Sequence, residues 1–468
     1  MNDIEKYIWS LLAQQGIYTP AQFEAAFKAF VADPDNINNV KRIQELQLHM
    51  TQNWQVIARR HEINDLQLPF PNGIAGKPYT TFFDLERSGL TDVTSFSLTV
   101  PEDTGLQYDA DTKTLHGIPL QSGDVTLIFT YNFEGEPEGA EPNIKKVTII
   151  INPDPKSLWK NIPSDMTDPF WKADDVAETA VLCGRTLVVA SKRGRSHANK
   201  GSFRDDDYAF GELASGWNVI AISDGAGSAS HSRKGSAVAC RAVTDYLEET
   251  FTSENTQLLD EALSKYTEAD TSSIKNKIED IAFPQLLAAA RNAVANIELL
   301  AYSIEVPVNE FHATLAFTLF KKYPSGYAFL SFSVGDCPMA LADKDFEWVK
   351  PLNKLDAGDF GGGTRFITMP EIFRAEQLDA RFNFEFVTNF PYLVLMTDGI
   401  YDPKFEVEAN LAKPEKWKAF FADLEGNNPE NITVGLTEGG TGMDEKLSAW
   451  MDFWSPGNHD DRTLALLF

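Results

Sequence analysis

Five aspartates in the C-terminal part of the sequence share one setting, because each borders a short apolar run that is typical of a buried strand. They are Asp206, Asp224, Asp336, Asp398 and Asp460. Asp224, for example, follows residues 217–223 and precedes a glycine. One Asp-Gly step after a strand indicates only a turn. Five strands that each carry a carboxylate at one end indicate ligands that converge on hard cations.

The chemistry that such carboxylates support is metal-assisted hydrolysis. Carboxylates and water suit Mg²⁺ or Mn²⁺, whereas the His-x-x-x-His and Cys-x-x-Cys spacings of zinc sites are missing from the sequence. Two hard ions about 3.5–4 Å apart lower the pKa of a bridging water and clamp the oxygens of a phosphoryl group. Neither a P-loop nor the kinase signature set occurs. The pattern therefore favours phosphate hydrolysis over transfer from ATP.

The runs that contain these aspartates resemble, in order and spacing, the metal-dependent protein Ser/Thr phosphatases of the 2C type. The matching runs are 205–210 (Asp-Asp-Asp-Tyr-Ala-Phe), 222–228 (Ile-Ser-Asp-Gly-Ala-Gly-Ser), 312–317 (His-Ala-Thr-Leu-Ala-Phe), 333–338 (Ser-Val-Gly-Asp-Cys-Pro), 393–402 (Leu-Val-Leu-Met-Thr-Asp-Gly-Ile-Tyr-Asp) and 460–464 (Asp-Asp-Arg-Thr-Leu). The resemblance covers residues 181–468. The Gly-Arg-Ser-His opening at 194–197 and the Asp-Gly-Ala-Gly-Ser turn are most similar to a bacterial branch of that family.

The resemblance implies an α+β phosphatase domain. Its core would be a central sandwich of two antiparallel sheets flanked by helices, in α-β-β-α layers, with a dinuclear metal site at one edge. Two Mn²⁺ or Mg²⁺ ions would bind there, and a third would be held more weakly. The implied reaction is attack of a metal-bridging hydroxide on the phosphorus of phosphoserine or phosphothreonine, without a covalent phosphoenzyme.

Motif position assigns the metal ligands by resemblance. The four carboxylates expected to hold the two metals and to carry catalysis are Asp206, Asp224, Asp398 and Asp460. The Gly225 carbonyl would ligate one of these metals, and Asp336 would support the third. Because Asp206 lies in a triplet with Asp205 and Asp207, the assignment is ambiguous by one residue, and Asp206 is favoured.

Two departures from the family pattern leave the phosphate-binding cation and the general acid open. The family places an arginine a few residues before the first metal-binding aspartate, where this sequence has His197. This histidine, Arg195, Arg193 or Arg204 could bind the phosphate, and His197 could equally be structural. Many relatives also have a histidine as candidate general acid at the position of Ala226. Water or another residue must then protonate the leaving alkoxide.

A glycine-rich stretch, residues 358–366 (Gly-Asp-Phe-Gly-Gly-Gly-Thr-Arg-Phe), lies between Asp336 and Asp398. Consecutive glycines favour a mobile backbone. In the family this neighbourhood forms a flap beside the metal site that influences substrate choice. A surface loop without a catalytic role is the alternative.

The N-terminal third shows two other periodicities. Residues 1–62 carry apolar side chains at helical spacing, which predicts a small helical region. Residues 63–154 alternate apolar and polar side chains, which predicts antiparallel strands in an all-β sandwich. The runs 104–109, 114–119 and 122–124 resemble the immunoglobulin-like module of many bacterial multidomain proteins. That module would serve as a spacer or as a binding module.

The domain organisation that follows has four parts. Residues 1–62 are a helical N-terminal region, 63–154 an immunoglobulin-like sandwich, 155–180 a Pro- and Asp-rich linker, and 181–468 the phosphatase domain. The total of 468 residues is consistent with about three domains.

The overall charge excludes several classes of protein. With 41 Lys and Arg against 68 Asp and Glu, the net charge is −27, which disfavours binding to nucleic acid or to an anionic membrane. The three cysteines form no disulfide framework and fit a reducing compartment. The N-terminus lacks the features of a signal peptide, and no apolar run reaches the ~18 residues of a membrane span. We therefore expect a cytoplasmic protein.

The resemblance implies a protein serine/threonine phosphatase that acts on phosphorylated proteins, with a cognate Ser/Thr kinase as a partner. Three alternatives stay open. The protein could be a catalytically weak pseudophosphatase that binds phosphoproteins, a scaffold that acts through its immunoglobulin-like module, or a phosphatase of small molecules.

Overall fold

The computed structural model describes residues 2–17, 21–266, 272–356, 363–436 and 441–468. Most of the predicted glycine-rich flap falls on residues 357–362 and lies outside the described residues. The chain divides into two compact units, Met1–Leu158 and Trp159–Phe468. No helix within the described ranges is both long enough and apolar enough to cross a membrane.

The first unit begins with helices and continues with short strands. Its helices are α1 (Asp3–Gln14), α2 (Glu24–Ala32) and α3 (Pro34–Asp65). Its strands are β1 (Gly73–Ile74), β2 (Tyr79–Phe82), β3 (Val93–Thr99), β4 (Leu106–Asp109), β5 (Thr114–Gly117), β6 (Gly123–Phe133) and β7 (Asn143–Asn152). The change from helical to strand period in the sequence thus corresponds to a change of element type.

Local sequence explains where these helices begin. Asn2 caps α1 in a capping box with Glu5, and Asp33 accepts hydrogen bonds from the first turn of α3, which opens with Pro34. The three helices meet around a small cluster of Ile8, Val31 and Val40. So small a core leaves much of α3 without a packing partner in its own helical region.

The strands of the first unit form two sheets that share one hydrophobic cluster. The sheets have the orders β1-β7-β6-β3 and β2-β5-β4. On β6 every second side chain is buried, from Leu127 through Phe129 and Tyr131 to Phe133, as strand periodicity requires. All ladders are antiparallel except that of β1 with β7. Membership in an immunoglobulin-like family stays a prediction.

The second unit contains two larger sheets and eight helices within the described residues. The strands are β8 (Asp175–Leu182), β9 (Arg185–Lys192), β10 (Asp207–Glu212), β11 (Asn218–Ser223), β12 (Leu315–Tyr323), β13 (Gly326–Val334), β14 (Met339–Ala342), β15 (Val349–Pro351), β16 (Phe382–Val387), β17 (Tyr392–Met396) and β18 (Arg462–Leu467). The helices are α4 (Arg195–Lys200), α5 (Ser232–Thr250), α6 (Ser253–Leu263), α7 (Ser272–Ser303), α8 (Ala375–Leu378), α9 (Asp398–Phe405), α10 (Pro414–Leu424) and α11 (Met443–Trp450).

Both sheets of the second unit are antiparallel, and their side chains alternate between two environments. The strand orders are β10-β11-β12-β13-β16 and β15-β14-β17-β18-β9-β8. On β11, Val219 and Ala221 pack with helices α5 to α7, whereas Ile220 and Ile222 pack with residues of the six-stranded sheet. On β9, Val188 lies in the cluster that contains α10 and α11. Each central strand is therefore buried on both faces.

The stretch predicted as a linker, residues 155–180, is mostly part of the second unit. Its last residues form the start of β8, and residues 159–174 pack against the segments that carry the first motifs. Ile162 N–H donates to Ala198 O at 2.9 Å, and Lys172 Nζ donates to Asp206 O at 2.6 Å. Its Pro- and Asp-rich composition did not reveal these partners, because they are distant in sequence.

Candidate metal and phosphate site

The predicted metal-binding residues come from both sheets of the second unit. In each sheet they lie where neighbouring strands end and begin. In the five-stranded sheet, β10 begins opposite the end of β11, and β12 begins opposite the end of β13. In the six-stranded sheet, the end of β17 lies beside the start of β18. The short connection through Asp336 runs directly from β13 to β14, so it joins the two edges. All five strand-end aspartates are thereby brought towards one region.

Burial and the charges of neighbouring carboxylates raise the pKa values of these five carboxyls. Burial raises the pKa of Asp224 well above its ordinary value, and the charges of Asp398, Asp206, Asp460 and Asp336 raise it further. The pKa of Asp398 is raised in the same way, by burial and then by the nearby carboxylates. Burial is also the main cause of the raised pKa values of Asp336 and Asp460. A buried cluster of like charges is unfavourable unless protons or cations neutralise it.

Asp206 is the member of the triplet whose carboxylate lies in this cluster. The residue is 1% exposed, and its Oδ2 accepts hydrogen bonds from Thr397 Oγ1 at 2.7 Å and Thr463 Oγ1 at 2.8 Å. Burial and the charge of Asp461 raise its pKa to about 7. Asp207 instead forms an ion pair with Lys172 at 2.9 Å.

Two carboxylate oxygens in the cluster are buried without a hydrogen-bond partner among the described residues. One is Oδ1 of Asp206 and the other is Oδ1 of Asp336. The second oxygen of Asp336 is held by Thr364 Oγ1 at 2.5 Å. Buried acceptors are normally paired, so unpaired oxygens among raised-pKa carboxyls fit a site for divalent cations. The donor set, all oxygen, is the one that Mg²⁺ and Mn²⁺ prefer.

Gly225 lies where the turn after β11 approaches the triplet. It forms an isolated antiparallel bridge with Ala313, and a Cβ in its place would lie 2.7 Å from Asp205 O. The N–H of the neighbouring Asp224 donates to Thr314 Oγ1 at 2.8 Å, so its partner belongs to a different motif. The turn is therefore held against two other motifs.

Two further aspartates belong to the site, and the sequence analysis did not assign them. Asp402 lies four residues after Asp398 on α9, and burial together with the charges of Asp336 and Asp460 raises its pKa. Asp461 is 1% exposed and follows Asp460. The signals that could have found them are the i, i+4 spacing for the first and the acidic pair for the second.

Asp461 joins three segments of the site. Its carboxylate accepts hydrogen bonds from Gly194 N at 2.5 Å, from Asp205 N, and from His197 Nδ1 at 3.0 Å. Burial acts to raise its pKa, but the hydrogen bond and charge of His197 and the two N–H donors hold that pKa below its ordinary value. Asp461 is therefore an ionised partner of the histidine.

His197 is the cation nearest to the carboxylate cluster among the residues considered for phosphate binding. Burial opposes protonation, but Asp461, Asp205 and Asp460 raise the pKa of His197 to about 9. Its Nε2 lies 3.9 Å from Asp205 Oδ2 and 4.0 Å from Asp460 Oδ1. Ligand atoms of His197, Asp460 and Asp461 lie within 4.8 Å of one another. Because the histidine and Asp461 already form an ion pair, this trio fits a positioned imidazolium better than a metal site.

The arginines considered for phosphate binding hydrogen bond to other parts of the fold. Arg195 donates to Asp452 O at 2.6 Å and lies 5.8 Å from the ring of Trp454. Arg193 donates to Ser202 O and Asn161 Oδ1, both at 2.8 Å. Arg204 is buried, with Nη1 on Ser191 Oγ and Asp206 O. These contacts position the motif segments.

The backbone conformation of Gly194 does not require glycine, since its φ of −67° is open to any residue. Glycine is required there because a side chain would not fit. A Cβ there would overlap the backbone carbonyl group of Asp460 and the carbonyl oxygen of His459. We expect Gly194→Ala to destabilise the second unit by about 1–3 kcal/mol through overpacking. Gly227→Ala is the matched control, since a Cβ at Gly227 meets nothing within 4 Å. Equal melting temperatures of the two variants in a thermal melt would contradict the assigned contact.

The sequence matches the family model for Protein phosphatase 2C over residues 193–452, which is more than half of the chain. The chain therefore belongs to the protein phosphatase 2C family, and the resemblance seen in the sequence is confirmed at that level. It matches no curated protein.

Several solved phosphatase structures are similar to this chain. A serine/threonine phosphatase from S. agalactiae has 12% identity and a TM-score of 0.36, covering 60% of this chain and 98% of its own. One from Staphylococcus aureus has 13% identity and a TM-score of 0.32, covering 64% and 98%. The PP2C domain with a regulatory-domain fragment of SpoIIE from Bacillus subtilis has 12% identity and a TM-score of 0.33, covering 96% and 97%. The family assignment does not depend on these similarities.

Proposed function

We propose that this protein is a metal-dependent protein serine/threonine phosphatase. The observation that carries the proposal is the convergence of buried carboxyls from both sheets, with raised pKa values and with two unpaired oxygens among the described residues. A fold retains such mutual repulsion at a functional site rather than for stability. Membership in the protein phosphatase 2C family supports phosphoryl ester hydrolysis as the reaction.

The residues that would hold two Mn²⁺ or Mg²⁺ ions are Asp206, Asp224, the Gly225 carbonyl, Asp398 and Asp460, with Asp336 at a third, weaker ion. Divalent ions bound there would activate water and neutralise the charge of a phosphoryl group. The protein's own contribution is rigidity. Thr397 and Thr463 fix one oxygen of Asp206, while Lys172 and Arg204 hold its backbone carbonyl.

For His197 we propose the role of binding the substrate phosphate. Its side chain is 14% exposed, and Asp461 keeps it protonated at neutral pH. Charge-assisted hydrogen bonds contribute about 1.5–3 kcal/mol, so we expect His197→Ala to raise KM for a phosphopeptide about 10- to 100-fold. Arg195→Ala should have a smaller effect, because that guanidinium is bound to Asp452 O. Steady-state kinetics of both variants checks this, and an unchanged KM in His197→Ala would contradict it.

The proposed activity is tested by phosphate release from a phosphoserine or phosphothreonine peptide. We expect turnover with Mn²⁺ and none with EDTA, and faster turnover of phosphopeptides than of free phosphometabolites. Faster turnover of the metabolites would identify a small-molecule phosphatase. Peptide binding without turnover at saturating Mn²⁺ would identify a pseudophosphatase.

We also propose the finer assignments that follow from the sequence. The second unit has α-β-β-α layers, residues 63–154 form an immunoglobulin-like spacer, and the protein acts in the cytoplasm on phosphoproteins, opposite a Ser/Thr kinase. Capture of phosphoproteins by residues 1–154 alone would show instead that this part is a binding module.

A further inference from the structure

Helix α3 carries an apolar stripe that is largely exposed. Leu46, Met50, Trp54 and Ile57 are 64%, 71%, 67% and 46% exposed, and Ile43 is of intermediate exposure. At 100° per residue, all five side chains lie within about 40° of Met50 around the helix. We define these five residues as the α3 stripe.

The spacing of the α3 stripe is the same in both directions along the helix. Successive members are separated by 3, 4, 4 and 3 residues, so the pattern is symmetric about Met50. An interface between two identical chains related by a twofold axis must be self-complementary. If two α3 helices pack antiparallel with Met50 at the axis, Leu46 meets Trp54 of the other copy, and Ile43 meets Ile57.

The charge distribution along α3 also favours a second copy of this chain as the partner of the stripe. A protein with net charge −27 repels a second copy over most of its surface. Between residues 43 and 58, however, Glu45 is the sole Asp, Glu, Lys or Arg of α3. Two copies can therefore meet along this part of the helix without opposing like charges.

We propose that the α3 stripe is a homodimer interface in which two copies of this chain pack their α3 helices antiparallel about Met50. The stripe runs over the 15 residues from 43 to 57, so its ends lie about 21 Å apart along the helix, which is short of a standard interface. The dimer is therefore weak and dissociates in the micromolar range. This inference is independent of the proposed phosphatase activity.

Sedimentation velocity of the 468-residue chain over a range of micromolar concentrations tests the proposal. We expect a monomer–dimer equilibrium that Met50→Glu shifts at least tenfold towards monomer. Leu48→Glu is the matched control, because Leu48 is 59% exposed on the same helix but lies about 160° from Met50. The control should dimerise as wild type does. A wild-type protein that stays monomeric, or equal effects of the two variants, overturns the proposal.

A charge swap tests the antiparallel register. L46K and W54E should each weaken the dimer, whereas the double variant should restore it, since the new lysine then faces the new glutamate of the other copy. Failure of the double variant to recover, while circular dichroism shows that it is folded, overturns the antiparallel arrangement. Phosphate release by each variant should equal that of the wild type.

Discussion

Asp224→Asn is expected to lower turnover of a phosphopeptide about a thousandfold or more, and Asp398→Asn should have a similar effect. Both carboxyls lie in the buried cluster at the meeting edges of the two sheets. An amide keeps the shape of the carboxylate but removes the charge that binds a divalent ion. Metal ions supply several kcal/mol of transition-state stabilisation, and each 1.36 kcal/mol is a factor of about ten in rate.

The same substitution is expected to stabilise the metal-free protein. Because burial and four neighbouring carboxylates raise the pKa of Asp224, its ionised form is unfavourable in the folded state. Asp224→Asn removes this repulsion and should raise the melting temperature measured in EDTA. A loss of activity that accompanies a gain in stability cannot result from unfolding.

A surface aspartate provides the control for this experiment. Asp175 is 50% exposed and forms an ion pair with Lys192 at 3.4 Å. Asp175→Asn should change turnover by less than a factor of about two, because Asp175 is not among the carboxyls that act on Asp224 or Asp398. The fold should also be kept, since surface ion pairs contribute roughly 0–1 kcal/mol to stability. Initial rates at saturating Mn²⁺ make the comparison. Wild-type turnover in Asp224→Asn would refute the proposed metal site.

The second large effect concerns pH. In the absence of divalent metal, the second unit should become less stable as the pH rises from 6 to 8. Asp206 has its pKa raised from 3.8 to about 7, chiefly by burial. A raised folded-state pKa gives stability that is complete below the unfolded pKa of 3.8 and is lost as pH rises through about 7. From pH 6 to pH 8 this loss is about 1.4 kcal/mol for Asp206 alone, the free energy of one pKa unit.

His197 also makes the metal-free second unit less stable as the pH rises, and Asp461 does not oppose this effect. The pKa of His197 is raised from 6.5 to about 9, so its stabilisation is complete below 6.5 and is lost as pH rises through about 9. The pKa of Asp461 is lowered, so its contribution is lost only at acid pH. These contributions therefore add between pH 6 and pH 8.

Thermal melts at pH 6, 7 and 8, with EDTA or with Mn²⁺, measure this effect. We expect the melting temperature in EDTA to fall by several degrees over this range. Mn²⁺ competes with protons for the carboxylates. The increase in melting temperature that Mn²⁺ causes should therefore be larger at pH 8 than at pH 6. Asp206→Asn should flatten the dependence in EDTA. A melting temperature in EDTA that rises with pH would show that the carboxyls are not buried together.

Much of the architecture could be predicted from the order of the elements. The five strand-end aspartates, their motif order and the change of period near residue 63 are local features of the sequence. Motif position leaves the choice within the aspartate triplet ambiguous by one residue. The choice depends on hydrogen-bond partners such as Thr397 and Thr463, which are about 190 and 260 residues away in the sequence. The same distance in sequence concealed the contact of Lys172 with Asp206 O.

The sequence by itself determined which residue types are present, where each strand ends, and hence that oxygen ligands converge. Only the tertiary structure decided which charges meet. It pairs His197 with Asp461, directs three arginines to backbone carbonyls, and leaves one oxygen each of Asp206 and Asp336 without a partner within the described residues. The physical reason is that strand periodicity is set by neighbours along the sequence. Burial, ion pairing and pKa depend instead on groups that only the fold brings together.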